Sequence, residues 1–153
     1  TRKITLSLAR IKYGFQNVLE LGELDVKRDW GYAGDYVQGM WQMMQQDKPD
    51  DFVLATGVNH TIREFIEKAA PYYGFDIVWN GKGIDEKGID KKSNKVIVSI
   101  NPMYYRPADV YSLLGDPKKA RETFGWLQTV DFNNLIKMMA EADLKRVSNK
   151  TTL

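Results

Sequence analysis

The sequence predicts an α/β protein, and three features of its patterning carry that prediction. Residues 52–55 form a continuous apolar run, as expected of a strand buried on both faces, and lead through Thr56-Gly57 into a helical segment. Residues 76–79 and 95–100 alternate well enough to be two further strands. Residues 3–13 and 35–46, and those following Asp131, carry apolar side chains at the three- and four-residue spacing of helices.

In chain order, the first helix sets Ile4, Leu8 and Ile11 on one side and Lys3, Arg10 and Lys12 on others; it begins at or before residue 1 and stops at Gly14. Residues 18–21 read as a short strand ended by Gly22, and 24–33 as a short extended segment. The 35–46 helix has an apolar face of Tyr36, Val37, Met40, Trp41 and Met44, and a polar loop follows at 47–51. Thr61-Ile62-Arg63-Glu64 is a capping box opening a helix that Gly74 closes. Residues 81–94, rich in glycine and lysine, are expected to be a mobile, hairpin-like surface loop. Asp116 caps a helix with Pro117 at its first position, and Gly125 stops it before Trp126. Asp131 caps the last helix, with Phe132, Leu135, Ile136, Met139 and Leu144 inward. Residues 1–148 thus read as one unit without repeat or linker, and 149–153 as a frayed tail.

With 153 residues, 43% of them hydrophobic and 27% charged, the chain has the composition of an ordinary soluble domain. A net charge of +2 argues against a dedicated polyanion binder, so no nucleic-acid partner is expected. The absence of cysteine excludes disulfides and thiolate metal sites and is compatible with a cytoplasmic protein. No apolar run approaches the roughly 18 residues of a membrane span, and Arg10 and Lys12 interrupt any signal-like segment. The first residue is not methionine, and the chain is expected to be processed or a piece of something longer.

The common catalytic signatures are missing. Gly81, Gly83 and Gly88 do not fit G-x-G-x-x-G, and no G-x-x-x-x-G-K-[ST] occurs. His60, the only histidine, reads as a solvated turn residue ahead of the Thr61 cap. A transition-metal site would have to be all carboxylate, and Asp85, Glu86 and Asp90 sit among lysines that make a poor cage, so no metal is expected. Neither Tyr13 nor Tyr111 has a lysine four residues on, so no tyrosine–lysine acid/base pair is formed there. No catalytic residue is assigned to this chain.

The least generic stretch is 101–126. In Arg106-Pro107-Ala108-Asp109 the proline fixes φ near −65° and can open a helical turn, on which Arg106 and Asp109 share a face. A guanidinium fork suits phosphate oxygens, and a carboxylate accepts hydrogen bonds from sugar hydroxyls. Lys3, Arg28 and Arg106, in separate segments, are the candidate anchors of a diphosphate, with Asp109 on its ribose; the alternative for each is a solvated surface charge.

Several of these residues fall in blocks that resemble the GDP-mannose 4,6-dehydratase family. Leu21-Gly22, Arg28-Asp29-Trp30-Gly31-Tyr32-Ala33 and Asp35-Tyr36-Val37 resemble its L-G-N…R-D-W-G-H-A-x-D-Y-V block. Ala55-Thr56-Gly57 with Thr61-Ile62-Arg63-Glu64-Phe65 is similar to A-T-G…S-V-R-E-F, and Gly83-Ile84-Asp85-Glu86-Lys87-Gly88 to G-x-E-E-K-G. Arg106-Pro107-Ala108-Asp109-Val110, then Leu113-Leu114-Gly115-Asp116-Pro117-Lys118-Lys119-Ala120 and Gly125-Trp126, resembles R-P-x-E-V…L-L-G-D-P-x-K-A…G-W. Thr1-Arg2-Lys3-Ile4-Thr5 matches the opening of the same region, so the likeness runs in order from residue 1 to about 145.

The resemblance implies the C-terminal, substrate-binding part of an extended short-chain dehydrogenase/reductase, with one or two strands completing a Rossmann-type sheet. It implies that Lys3, Arg28 and Arg106 bind the GDP diphosphate and that Asp109 holds the ribose. NADP would be held mainly by the N-terminal Rossmann part, which also carries the catalytic residues, so this chain alone would be inactive. In the complete enzyme, hydride passes from C4 of GDP-mannose to NADP, water leaves across C5–C6, and hydride returns to C6, giving GDP-4-keto-6-deoxymannose for GDP-fucose and related 6-deoxyhexoses. Family members are dimers or tetramers. Three positions depart from the pattern: Asp109 is one methylene shorter than the family glutamate, Tyr32 replaces histidine, and Glu23 replaces the asparagine of L-G-N, adding a negative charge that opposes the clamp if it points inward. A related GDP-sugar reductase or epimerase, and a non-catalytic nucleotide-sugar binding module, remain open.

Overall fold

Residues 1–106 and 110–149 are described by the structure, a computed structural model. Its elements are α1 (Arg2–Lys12), β1 (Leu19–Leu21), β2 (Lys27–Asp29), α2 (Ala33–Met44), β3 (Asn59–Thr61), α3 (Ile62–Ala69), β4 (Ile77–Asn80), β5 (Lys87–Asp90), β6 (Val96–Ile100), α4 (Lys118–Phe124) and α5 (Phe132–Ser148). The expected tail lies outside the described residues except for Asn149.

Most of the core belongs to α1, α3, α5 and a four-stranded sheet ordered β1-β6-β5-β4. Ile4 and Leu8, one turn apart, put the apolar side of α1 into it, while Arg10 and Lys12 complement the helix dipole at its last turn. Phe65 and Ile66 on α3, and Ile136 and Ala140 on α5, are essentially inaccessible to solvent. Each fully buried Leu, Ile or Phe contributes about 1.5–3 kcal/mol of burial free energy. One polar contact joins the first helix to the last: Thr5 Oγ1 donates to the buried Asp143 carboxylate at 2.7 Å. Two of the predicted caps are present, with Thr61 Oγ1 accepting from Glu64 N (3.0 Å) and Asp131 Oδ1 from Asn134 N (2.8 Å); at the third, α4 starts one residue later than expected, with Pro117 at the cap position and Asp116 Oδ1 accepting from Lys118 N at 2.9 Å.

Two sequence expectations fail here. The 81–94 segment is a hairpin, but it is an ordered part of the sheet: β5 pairs antiparallel with both β4 and β6, and Asp90 is buried. Gly88 makes this possible, because a Cβ there would stand 3.0 Å from the Trp79 ring and 3.1 Å from Ile77 and Val98. The Asp90 carboxylate accepts from Asp76 N, Ser93 N and Ser93 Oγ and closes the following turn. The 52–55 run, in turn, is not a strand buried on both faces: Ala55 is buried, Val53 is 52% exposed, and no strand is assigned there.

That run belongs to a second, thinner region with α2, α4 and Trp126. Phe52 meets Phe124 edge-on, and a Cβ on Gly39 would lie 2.6 Å from Trp126 Nε1 and 2.7 Å from Leu54 Cδ1, so only glycine lets α2 approach this closely. The buried Asp35 carboxylate accepts from Thr129 N, Thr129 Oγ1 and Val130 N, and Trp126 Nε1 donates to the Asp35 carbonyl at 2.8 Å. The helix is therefore held by a carboxylate and a glycine. Its apolar residues Val37, Met40, Trp41 and Met44 point outward, with Met44 82% exposed. Among the described residues no helix is long and apolar enough to cross a membrane.

Candidate functional site

β1 and β6 are parallel neighbours, so the loops that leave their carboxyl ends emerge side by side. In open α/β sheets this is the edge at which ligands collect. After β1 come Gly22 and Glu23; after β6 come Asn101, a 3-10 turn (Pro102–Tyr104), Tyr105 and Arg106. Asn101 N donates to the Leu21 carbonyl at 2.8 Å, and the Asn101 side chain caps the turn by accepting from Met103 N at 2.9 Å. Gly22 lies directly under the Tyr104 carbonyl, where a Cβ would come to 2.2 Å from the oxygen. The segment that carries Arg106 is thus seated on the end of β1.

The other cations contact residues that precede and follow Arg106 in sequence. Lys3, on the first turn of α1, places its ammonium 4.0 Å from the centre of the Tyr104 ring. Arg28 on β2 donates from Nη1 to the Val110 carbonyl at 2.8 Å, beside Lys27 N bonding the Tyr111 carbonyl at 2.8 Å. Arg106 itself has an exposed side chain. Pro107, Ala108 and Asp109 lie outside the described residues, and so does the expected Arg106/Asp109 pairing on one turn.

Neighbouring carboxylates are committed elsewhere. Glu23 turns to its own loop: Oε1 accepts from Asp25 N at 3.2 Å, and the Tyr105 hydroxyl bonds the carboxylate, which together with its charge holds that phenol above the ordinary tyrosine range. Asp29 accepts from Thr56 N, Thr56 Oγ1 and Gly57 N, tying the R-D-W block to the A-T-G turn. Asp25 and Glu86 both form two-point pairs with Arg63, which lies over Trp79; the Arg63 hydrogen bonds hold the Asp25 carboxyl below its usual range. Glu86 is therefore an anchor for α3.

A cleft of about 410 Å³ opens beside Arg28, lined by Asp29, Tyr36, Leu54, Leu113 and Leu114 among others. Burial, then the Asp29 and Asp35 charges, raise the Tyr36 phenol and keep it a neutral hydrogen-bond donor. Tyr32, the replacement for histidine, lies over Gly34, where a Cβ would come to 2.4 Å from its ring. His60 is not the solvated turn residue expected: it lies on β3, stacks on Phe132 at 3.7 Å and 4°, and its Nδ1 bonds Glu64 at 2.9 Å. Sequence reasoning did not single out Tyr104, whose ring meets Lys3 and whose one signal was its position two residues before Arg106.

The family model described as GDP-mannose 4,6 dehydratase matches residues 1–139. A GDP-mannose 4,6-dehydratase of Sinorhizobium fredii is 49% identical over 94% of this chain and 41% of its own length. A GDP-mannose 4,6 dehydratase of Homo sapiens is 47% identical over 95% of this chain and 39% of its own. The chain therefore spans about two fifths of the length of these curated relatives. Among solved structures, RMD from Pseudomonas aeruginosa complexed with NADPH aligns with a TM-score of 0.73 at 18% identity, covering 95% of this chain and 42% of that one. That likeness shows a shared fold.

Proposed function

Because the chain belongs to the GDP-mannose 4,6-dehydratase family, we propose that it is the nucleotide-sugar-binding part of a lyase that converts GDP-mannose to GDP-4-keto-6-deoxymannose and water. One observation carries the reading: Lys3 lies against the ring of Tyr104, two residues before Arg106, and Arg28 bonds the Val110 carbonyl, four residues after it. Three cations suit the two phosphates of GDP, and Asp109 takes the ribose. This part supplies affinity and orientation, and the chemistry resides in the remainder of the protein.

NADP belongs to that remainder. The Thr56-Gly57 turn already spends its amides on Asp29, so it does not fit a pyrophosphate. The exposed apolar side of α2 and the run at 52–55 support a larger protein, a Rossmann part of the same enzyme, packing against them. The whole works as a cytoplasmic homo-oligomer, dimer or tetramer, and the isolated chain has no dehydratase activity. The test is calorimetric. In the full-length protein Arg106→Ala should weaken GDP binding by one to two decades, the worth of a charge-assisted hydrogen bond of about 1.5–3 kcal/mol. Unchanged affinity would refute the clamp.

A further inference from the structure

β2, the strand that carries Arg28, is held from both edges. Lys27 pairs with Thr61 of β3 on one side and with Ser112 on the other, where Lys27 N donates to the Tyr111 carbonyl at 2.8 Å. On the β3 side Asn59 stands opposite Asp29. Its Nδ2 donates to Ser112 Oγ at 2.8 Å, so one side-chain hydrogen bond closes over β2 and ties its two neighbours together. The Arg28 guanidinium belongs to the same arrangement. Nη1 donates to the Lys27 carbonyl of its own strand and to the Val110 carbonyl of the neighbouring segment, each at 2.8 Å. Two carbonyls on one nitrogen fix the plane of the fork. One of them, Val110, stands two residues before Ser112, and Leu113 and Leu114, which line the cleft of about 410 Å³ beside Arg28, follow directly after it.

We propose that Asn59 and Ser112 are positioning residues of the nucleotide site, their hydrogen bond setting the Val110 carbonyl, and through it the Arg28 guanidinium, in place to meet a phosphate. The inference rests on the nucleotide-binding reading above. Backbone pairing with Lys27 sets how far the 110–112 segment lies from β2; the side-chain bond adds an attachment on the far strand and so sets its tilt. The bond is exposed, and its loss costs the fold little. A planar fork that must match phosphate oxygens is more demanding, because any freedom it regains has to be lost again on binding.

The experiment is calorimetry of GDP binding to the full-length protein, with thermal midpoints recorded alongside. Asn59→Ala and Ser112→Ala should each weaken GDP binding about two- to tenfold, and the double variant should be no weaker than the worse single, since either change breaks the same bond. Ser112→Thr keeps the hydroxyl and should recover most of the loss. In an Arg28→Ala background, itself weaker for GDP, both alanine effects should vanish. Thermal midpoints of the Asn59 and Ser112 variants should stay within about 2 °C of the wild type. GDP affinity untouched by either alanine, additive losses in the double variant, Ser112→Thr as weak as Ser112→Ala, or full-sized effects without Arg28 each overturn the proposal. So does a loss of affinity that tracks a lowered thermal midpoint, which marks a structural role. If instead Arg28→Ala binds GDP as tightly as the wild type, the nucleotide-binding reading itself falls, an outcome distinct from failed coupling.

Discussion

The two regions of this molecule are built to different standards. Around α1, α3, α5 and the four-stranded sheet, apolar side chains interlock and the buried polar groups Thr5 and Asp143 satisfy each other. Around α2, the 52–55 run and α4, contact is made by a glycine, a carboxylate and the edges of aromatic rings, and the apolar side chains face outward. The first region is finished within this chain. The second leaves an apolar surface uncovered, because Val37, Met40, Trp41 and Met44 line up on a single exposed helix face.

Substitutions should therefore behave differently on the two sides. The largest effect is expected in the finished core: Leu8→Ala, at a position with no exposed surface, should cost about 2–5 kcal/mol in denaturant unfolding. A loss below about 1 kcal/mol would mean the first region is also loosely built. On the second side, Trp41→Ser with Met44→Gln in the full-length protein should cost about 2–4 kcal/mol, because the face is covered there. A change within about 0.5 kcal/mol, the range of ordinary surface positions, would show that α2 stays wet and would break the comparison.

The smallest effect is electrostatic. Arg63 lowers the Asp25 carboxyl pKa in the folded state, so this pair stabilises the fold above the ordinary carboxylate range, and the contribution is lost as pH falls through the folded-state value. Thermal midpoints of the wild type should consequently drop more steeply between about pH 5 and 3 than those of Asp25→Asn. Parallel curves would mean that the ion pair contributes nothing measurable to stability. Asp25 is 43% exposed, so solvent screening keeps the difference small.

Where local chemistry decides structure, the sequence was readable. The Thr61 and Asp131 caps, the glycine stops at 74 and 125, and the inward face of the last helix follow from spacing and residue type alone. Strand β5 was illegible because its two buried positions are Gly88 and Asp90, a residue without a side chain and one that reads as polar. What makes them interior is Trp79 filling the gap and Ser93 satisfying the acid, and both lie outside the strand. The apolar face of α2 was visible, but amphipathicity says that a face seeks cover and not what covers it. At the site, spacing offered Lys3, Arg28 and Arg106 only as possible anchors, and family resemblance singled them out. The contacts of Lys3 with the Tyr104 ring and of Arg28 with the Val110 carbonyl were invisible, since they depend on segments far apart in sequence coming together.

The hydrogen bond between Thr5 and Asp143 spans 138 positions of chain, and the pairing of β1 with β6 is also long in sequence. Neither can form early during synthesis. The β4–β5–β6 meander can close as soon as it emerges, because its contacts are local, whereas α1 must wait for α5 before its inner face is covered. The finished core therefore depends on a contact that spans most of the chain. Until then the helix bearing Lys3 keeps its apolar side exposed, a stage at which a chaperone would have something to hold.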